Sequence, residues 1–238
     1  MKNGISPAKY NKIYYDGQTL YSHQGKNKAT RFKIVLDLLK KEIKGKSKLR
    51  LLDIGSRDGY LLEKAKELGF EAEGLDISKK WAEFCKKRGF KVVVANLEKK
   101  MPFKDSYFDA VTILYVIEHV ADSEFVIKEV IRVLKKDGIL VIATPNLASL
   151  GSRLRSLFGR YPLQMAPAFN WQFGDHVRLF TIPVLKKILE RNNSKVEVIV
   201  GNKIFFNPNN WDKGFGSTIL ARIFPSLAQK IIIKARKL

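Results

Sequence analysis

Residues 48–62 constrain this chain more than any other stretch. They read Lys-Leu-Arg-Leu-Leu-Asp-Ile-Gly-Ser-Arg-Asp-Gly-Tyr-Leu-Leu. An apolar run stops at Asp53, a turn carrying Gly55 and Gly59 follows, and a helix-like segment runs from Leu61 to Leu68. Strand, glycine turn and helix start are the order that brings backbone N–H groups close to a bound nucleotide-like ligand. A second apolar run ends at Asp76, 23 residues after Asp53. An acid at that separation typically holds a pair of ribose hydroxyls. The turn alone would equally fit a plain α/β connection whose glycines only relieve backbone strain. The spacing to Asp76 is what favours a nucleoside-type ligand.

The rest of the chain alternates in the same way. An amphipathic helix is expected over 28–45, with Phe32, Val35, Leu36, Leu39 and Ile43 at helical spacing. Strands are expected at 49–54, 71–76, 91–95, 108–114 and 139–144, and helices at 59–68, 79–88 and 122–135, with a turn at Asp137-Gly138. Residues 147–158 read as a short basic helix, 159–178 as loop, 182–191 as helix, 195–200 as strand and 202–216 as a mobile loop. A short helix near 217–224 and a strand at 230–236 close the chain. Strands separated by helical patterns of this length predict an α/β fold with a mostly parallel, doubly wound sheet of seven strands and helices on both faces. Residues 1–27 carry Tyr10, Tyr14, Tyr15 and Tyr21 without clear periodicity. The expected organisation is an N-terminal segment over 1–47 that could act as a lid, a ligand-binding core over 48–146, and a substrate-side insertion with the last two strands over 147–238.

The formal net charge of +21 is unevenly placed. Residues 1–50 hold 13 basic and 3 acidic side chains, residues 51–150 hold 16 of each, and residues 151–238 hold 15 and 4. A neutral core between basic flanks reads either as general solubility or as flanks that face an anionic partner. Phosphate-linked sugars, acidic lipid headgroups and nucleic acid are the candidates. No apolar run is long enough to span a bilayer, and the N-terminus lacks an apolar signal core. With Cys85 as the only cysteine, an internal disulfide is excluded, and a reducing cytoplasm is the expectation.

The ordered set of motifs over 48–146 resembles the class I S-adenosylmethionine-dependent methyltransferases. Leu-Leu-Asp53-Ile-Gly55-Ser56-Arg57-Asp-Gly59 resembles that family's first motif, and Gly74-Leu-Asp76-Ile77-Ser its second. Ala95-Asn96-Leu97-Glu98 resembles the third, Tyr115-Val-Ile-Glu118-His119-Val the segment after the fourth strand, and Val133-Leu134-Lys-Lys-Asp137-Gly138 the fifth-strand region. Gly174-Asp175-His176-Val-Arg178-Leu-Phe180-Thr181 looks like a subgroup that includes ubiquinone-biosynthesis-type O-methyltransferases and enzymes of surface-polysaccharide pathways.

The resemblance implies a Rossmann-like methyltransferase fold and S-adenosylmethionine as cofactor. Gly55, Ser56, Arg57 and Gly59 would hold the methionyl end, with Asp53 and Tyr115 on the same sheet edge. Asp76 would bind the ribose, Ile77 would cover the adenine, and Asn96 and Leu97 would frame it. Arg57 replaces the family's usual middle glycine. It would either pair with the methionine carboxylate or point to solvent. Asn96 stands where an acid is common, and its carbonyl can accept the same hydrogen bond.

A hydroxyl acceptor often needs a general base; histidine is the residue type suited to that work near neutrality, and His119 lies on the ligand edge. It is the candidate catalytic residue, with a substrate contact or a turn cap as the alternatives. His176, Arg178 and the loop residue Trp171 are candidate acceptor contacts. No metal is expected, because the three histidines are scattered in sequence and one cysteine cannot build a thiolate cluster. The implied activity is methyl transfer, at oxygen, to a small or lipid- or sugar-linked acceptor, with contact to an acidic membrane surface as one use of the basic flanks. An RNA methyltransferase and a non-catalytic binding module on the same fold are the competing readings, with nucleic acid the less favoured partner. A dehydrogenase fits worst, because the first turn lacks the three-glycine dinucleotide spacing.

Overall fold

The computed structural model describes residues 7–17, 27–43, 45–162, 176–205 and 216–238. Two helices, α1 (Pro7–Gly17) and α2 (Asn27–Ile43), precede β1 (Arg50–Ile54). Then come α3 (Tyr60–Glu67), β2 (Glu71–Asp76), α4 (Lys79–Lys87), β3 (Lys91–Val94), β4 (Phe108–Leu114), α5 (Ser123–Val133) and β5 (Leu134–Pro145). The last part holds α6 (Leu150–Leu157), α7 (Ile182–Arg191), β6 (Ser194–Gly201), the two-residue strands β7 (Ile204–Phe205) and β8 (Gly216–Ser217), α8 (Thr218–Ile223) and β9 (Lys230–Lys237).

Seven strands form one sheet in the order β3-β2-β1-β4-β5-β9-β6. Neighbours from β3 to β5 are parallel, and β9 runs antiparallel to both β5 and β6. The expected mostly parallel sheet of seven strands is therefore present. The strand order reverses between β1 and β4, so their carboxyl ends bound the crevice where ligands of such sheets bind.

Side-chain alternation along the strands divides the core between the two faces. Leu52 and Ile54 of β1, Val111 and Ile113 of β4, and Leu140 and Ile142 of β5 pack with Val126, Ile127 and Val130 of α5 and with Leu185 and Leu189 of α7. Leu51, Ala110, Val141 and Ala143 point to the other face, against Val35, Leu38 and Leu39 of α2, Leu61, Leu62 and Ala65 of α3, and Ala82 and Cys85 of α4. Helices α4 and α5 start where short polar side chains accept their first free N–H groups: Ser78 Oγ from Trp81 at 3.2 Å and Asp122 Oδ1 from Phe125 at 2.9 Å.

At the far edge an ion-pair cluster joins three elements. Lys234 and Arg236 of β9 both engage Glu42 of α2 and Glu197 of β6, with Lys234 Nζ 2.9 Å from Glu197 and Arg236 Nη2 3.0 Å from Glu42. Hydrogen bonds from Arg236 and then Lys234 hold Glu197 down to about 2, against the desolvation that would raise it.

Three elements differ from their sequence reading. Residues 7–17 form α1, although they show no apolar stripe, because their anchoring contacts are polar. The break expected at Asp137-Gly138 is a kink inside β5, with Asp137 at φ 62° and a register shift between Phe108 and Ala110 on the neighbouring strand. Part of the loop expected over 202–216 pairs as β7 and β8; residues 206–215 lie outside the described residues.

Candidate functional site

The turn after β1 is held from below by β2. Gly55 N–H donates to the Leu75 carbonyl at 2.7 Å, and Gly59 N–H closes the turn onto the Ser56 carbonyl at 2.8 Å. Gly55 sits at φ 77° beside Val116, and a Cβ on it would lie 2.3 Å from Val116 Cγ2. Only glycine meets both demands, a left-handed φ and this close an approach. Arg57, at φ 46°, donates its backbone N–H to Asp76 Oδ2 at 2.7 Å, and Ser78 N–H donates to Asp76 Oδ1 at 2.9 Å. Asp76 thus ties the turn to the tip of its own strand. Ser56 Oγ is buried and makes no hydrogen bond within the protein.

Three buried carboxyls converge on this edge. Burial pushes Asp53 up to about 7, against the lowering effect of the 2.7 Å hydrogen bond from Thr112 Oγ1. Burial also raises Asp76, against the two N–H bonds just described. It carries Glu118 up to about 8, although Thr144 Oγ1 donates to its Oε2 at 3.1 Å. The other oxygen of Glu118, Oε1, is buried without a partner. Protein interiors seldom leave such atoms unsatisfied, so the edge is suited to a ligand that brings donors or positive charge.

The helix α1 lies across this edge. Asn11 Nδ2 donates to the His119 carbonyl at 2.8 Å, Trp81 Nε1 to the Tyr15 carbonyl at 3.1 Å, and Ser78 Oγ to Asp16 Oδ1 at 2.5 Å. The Tyr15 ring meets His119 edge-on at 6.3 Å between centroids. Burial raises its phenol, and Glu118, Arg57 and Asp76 all lie close enough to act on it electrostatically. Tyr15 therefore stands between the glycine turn and the end of β4.

Beyond β4 a short 3₁₀ turn, Ile117–His119, carries the candidate base. The segment that begins at His176 is pinned to it, with Val177 and Arg178 N–H groups donating to the Glu118 carbonyl at 2.9 and 3.0 Å. This brings the His119 and His176 rings to 5.0 Å between centroids. Glu118, His119 and His176 each offer a ligand atom within 4.8 Å of one another. The expectation of no metal rested on histidines scattered in sequence. The fold corrects that premise, since two of the three meet beside a buried carboxylate, in a group able to hold a metal ion.

The other sequence candidates fall as follows. Arg57 turns inward, with its guanidinium 5.4 Å from the Trp81 ring centre, so the solvent-pointing alternative does not hold. Ile77 is half-buried beside Asp76. Asn96 Oδ1 already accepts the Glu98 N–H at 2.9 Å, and Leu97 packs into the larger core cluster. Tyr115, at φ 60°, lies under Lys230 Nζ at 5.0 Å. Arg178 is exposed and donates from Nε to the Ala121 carbonyl at 2.9 Å, which makes it a brace for the turn. Trp171 lies outside the described residues. Sequence reasoning missed Glu118, Asn11, Tyr15 and Asp16 as site residues. Glu118 had a signal, an acid in an otherwise apolar run next to His119; the α1 residues had none.

A methyltransferase-domain family profile matches residues 52–142. The ubiquinone biosynthesis O-methyltransferase of Pelagibacter ubique is 31% identical over 170 residues, spanning 68% of this chain and 68% of that protein. The protein of the same name from Bartonella bacilliformis is 30% identical over 172 residues, spanning 69% and 67%. Among solved structures, an S-adenosylmethionine-dependent methyltransferase from Mesorhizobium loti superposes with a TM-score of 0.63 over 90% of this chain and 100% of that one, at 18% identity, a likeness of fold.

Proposed function

The chain belongs to the class I S-adenosylmethionine-dependent methyltransferases, and we propose that it transfers the donor's methyl group to an oxygen of a small or lipid- or sugar-linked acceptor. When bound, S-adenosylmethionine supplies a methyl group activated by a positively charged sulfur. The residues present fit that donor. Asp76 stands at the end of β2 where ribose hydroxyls would bind. The unpartnered Glu118 Oε1 lies at the same edge, and Ser56 Oγ is packed against Gly74 of β2 under the turn. Three buried carboxyls lie on this edge, and a nearby cation would favour their charged forms.

The observation that carries the acceptor side is the meeting of His119 and His176 at 5.0 Å, with Glu118 behind them. In this reading His119 accepts the proton from the attacking hydroxyl. His176 and Glu118 hold the ring in place, while Tyr15 and α1 exclude water. The acceptor oxygen gains the methyl carbon, the carbon–sulfur bond breaks, and the proton ends on the imidazole. The likeness to ubiquinone biosynthesis O-methyltransferases supports oxygen as the nucleophile.

The test begins with labelled-methyl transfer into cell extract fractionated into lipid, glycan, RNA and small molecules. Label in the lipid, glycan or small-molecule fraction is the expected outcome, and label confined to RNA refutes the acceptor class. On the acceptor so found, His119→Ala is expected to lower kcat by about 10²- to 10⁴-fold while leaving cofactor affinity unchanged. An unchanged kcat would remove His119 as the base.

A further inference from the structure

Two short helices beside the site expose more apolar surface than their own packing uses. In α6 and the turn after it, Leu157 is 76% exposed, Phe158 75% and Tyr161 47%. In α8 and its exit, Ile219 is 71% exposed, Ile223 61% and Phe224 52%. Both helices rest on one small cluster, in which Ile204, Ala221 and Ala228 are buried and Leu150 and Leu227 pack against them. Arg153 of α6 reaches the Ser226 carbonyl beyond α8 at 3.4 Å. Asn146, at the end of β5, donates to the Ser226 and Ala228 carbonyls at 2.9 and 2.8 Å. The two apolar rows are thereby fixed to a common base at the carboxyl end of β5.

Along the sequence, the charged residues of these two helices have one sign. The sequence contains no Asp or Glu from 138 to 174 and none from 213 to 238, whereas Arg153, Arg155, Arg160 and Arg222 lie on or beside the two helices. Large apolar side chains flanked by arginines, with no acids, make the pattern of an element that lies in the headgroup layer of a bilayer. A second copy of this chain would oppose arginine to arginine. Nucleic acid would meet the arginines but would leave Leu157, Phe158, Ile219 and Ile223 uncovered. No helix among the described residues is long and apolar enough to cross a membrane, so contact through these helices would be peripheral.

We propose that α6 and α8 form a docking face for an anionic lipid surface. Leu157, Phe158, Ile219, Ile223 and Phe224 enter the headgroup–acyl boundary, and Arg160 and Arg222 meet lipid phosphates. On the methyl-transfer reading above, the site then opens beside the membrane, which suits an acceptor dissolved in lipid.

The experiment is sedimentation of the full chain with vesicles of phosphatidylcholine alone and of phosphatidylcholine with phosphatidylglycerol, at low and high salt. Cofactor affinity is measured in parallel by calorimetry. The expected result is strong salt-sensitive binding to the anionic vesicles and weak binding to the neutral ones. Leu157→Asp with Phe158→Asp, Ile219→Asp with Ile223→Asp, and Arg160→Glu with Arg222→Glu should each weaken vesicle binding by at least about tenfold, with unchanged cofactor affinity. Equal binding to both vesicle types, full binding by all three variants, or a concentration-dependent dimer abolished by the apolar variants would overturn the proposal. Because the readout is vesicle binding, docking can fail while donor binding and methyl transfer stand, and the reverse.

Discussion

Gly55→Ala tests how the ligand turn is seated. The substitution imposes two costs that the structure separates. Alanine at φ 77° occupies the left-handed region, which costs about 1–2 kcal/mol. Its Cβ would also lie 2.3 Å from Val116 Cγ2, a contact that must be relieved by movement, and overpacking of this kind costs about 1–3 kcal/mol. The expected loss is therefore about 2–5 kcal/mol in urea unfolding. Gly69→Ala isolates the first cost, since Gly69 has φ 100° and nothing within 4 Å of an added Cβ. Val116→Ala removes the clashing methyl, so the Gly55→Ala/Val116→Ala pair should be more stable than the sum of the single losses by about 1–3 kcal/mol. Cofactor affinity should follow the same order, because the turn that clashes also aims Arg57 N–H at Asp76. Additivity within about 0.5 kcal/mol, or a Gly55→Ala loss no larger than that of Gly69→Ala, would refute the reasoning.

Two further outcomes concern pH. Glu197 is held at about 2 in the folded chain against an ordinary value of 4.5, so its stabilisation is present above about pH 4.5 and disappears as pH falls toward 2. Glu197→Gln should flatten the acid limb of a stability–pH curve by up to about 3 kcal/mol, and an acid limb identical to that of the unsubstituted chain would remove the cluster from the account. Asp53 and Glu118 are raised to about 7 and about 8, so the stability they contribute is full below their unfolded values near pH 4 and is lost as pH rises through 7 and 8. A cationic donor offsets that loss. Its stabilisation in thermal melts should therefore be larger at about pH 8 than at about pH 6, and the uncharged thioether product should show less of this trend. Equal behaviour of the two would contradict a charge-matched site.

Much of the fold was legible in the sequence because it follows from periodicity. The runs ending at Asp53 and Asp76 alternate between two apolar faces, and the spacing of Leu61, Leu62 and Ala65 fits a helix on one of them. The turn after β1 was legible through Gly55 and Asp76, whose contacts are local to a turn and a strand tip. What periodicity could not show are contacts made across the chain. His119 and His176 lie 57 residues apart and meet only because the backbone at 177–178 hydrogen-bonds to Glu118. Tyr15 reaches the site through Asn11, Asp16 and Trp81, polar contacts that leave no stripe in α1. Asn96 shows a contact of the local kind, since its Oδ1 accepts the Glu98 N–H of its own turn and keeps a second lone pair for a base.

The most direct test is calorimetric titration of S-adenosylmethionine into the full chain and into Asp76→Ala. Saturable binding by the full chain is predicted, with a weakening of at least about 30-fold in the variant, the loss of about 2 kcal/mol in hydrogen bonds to a charged group. No binding by the full chain at millimolar donor, or a folded Asp76→Ala within about threefold of it, would contradict the central claim.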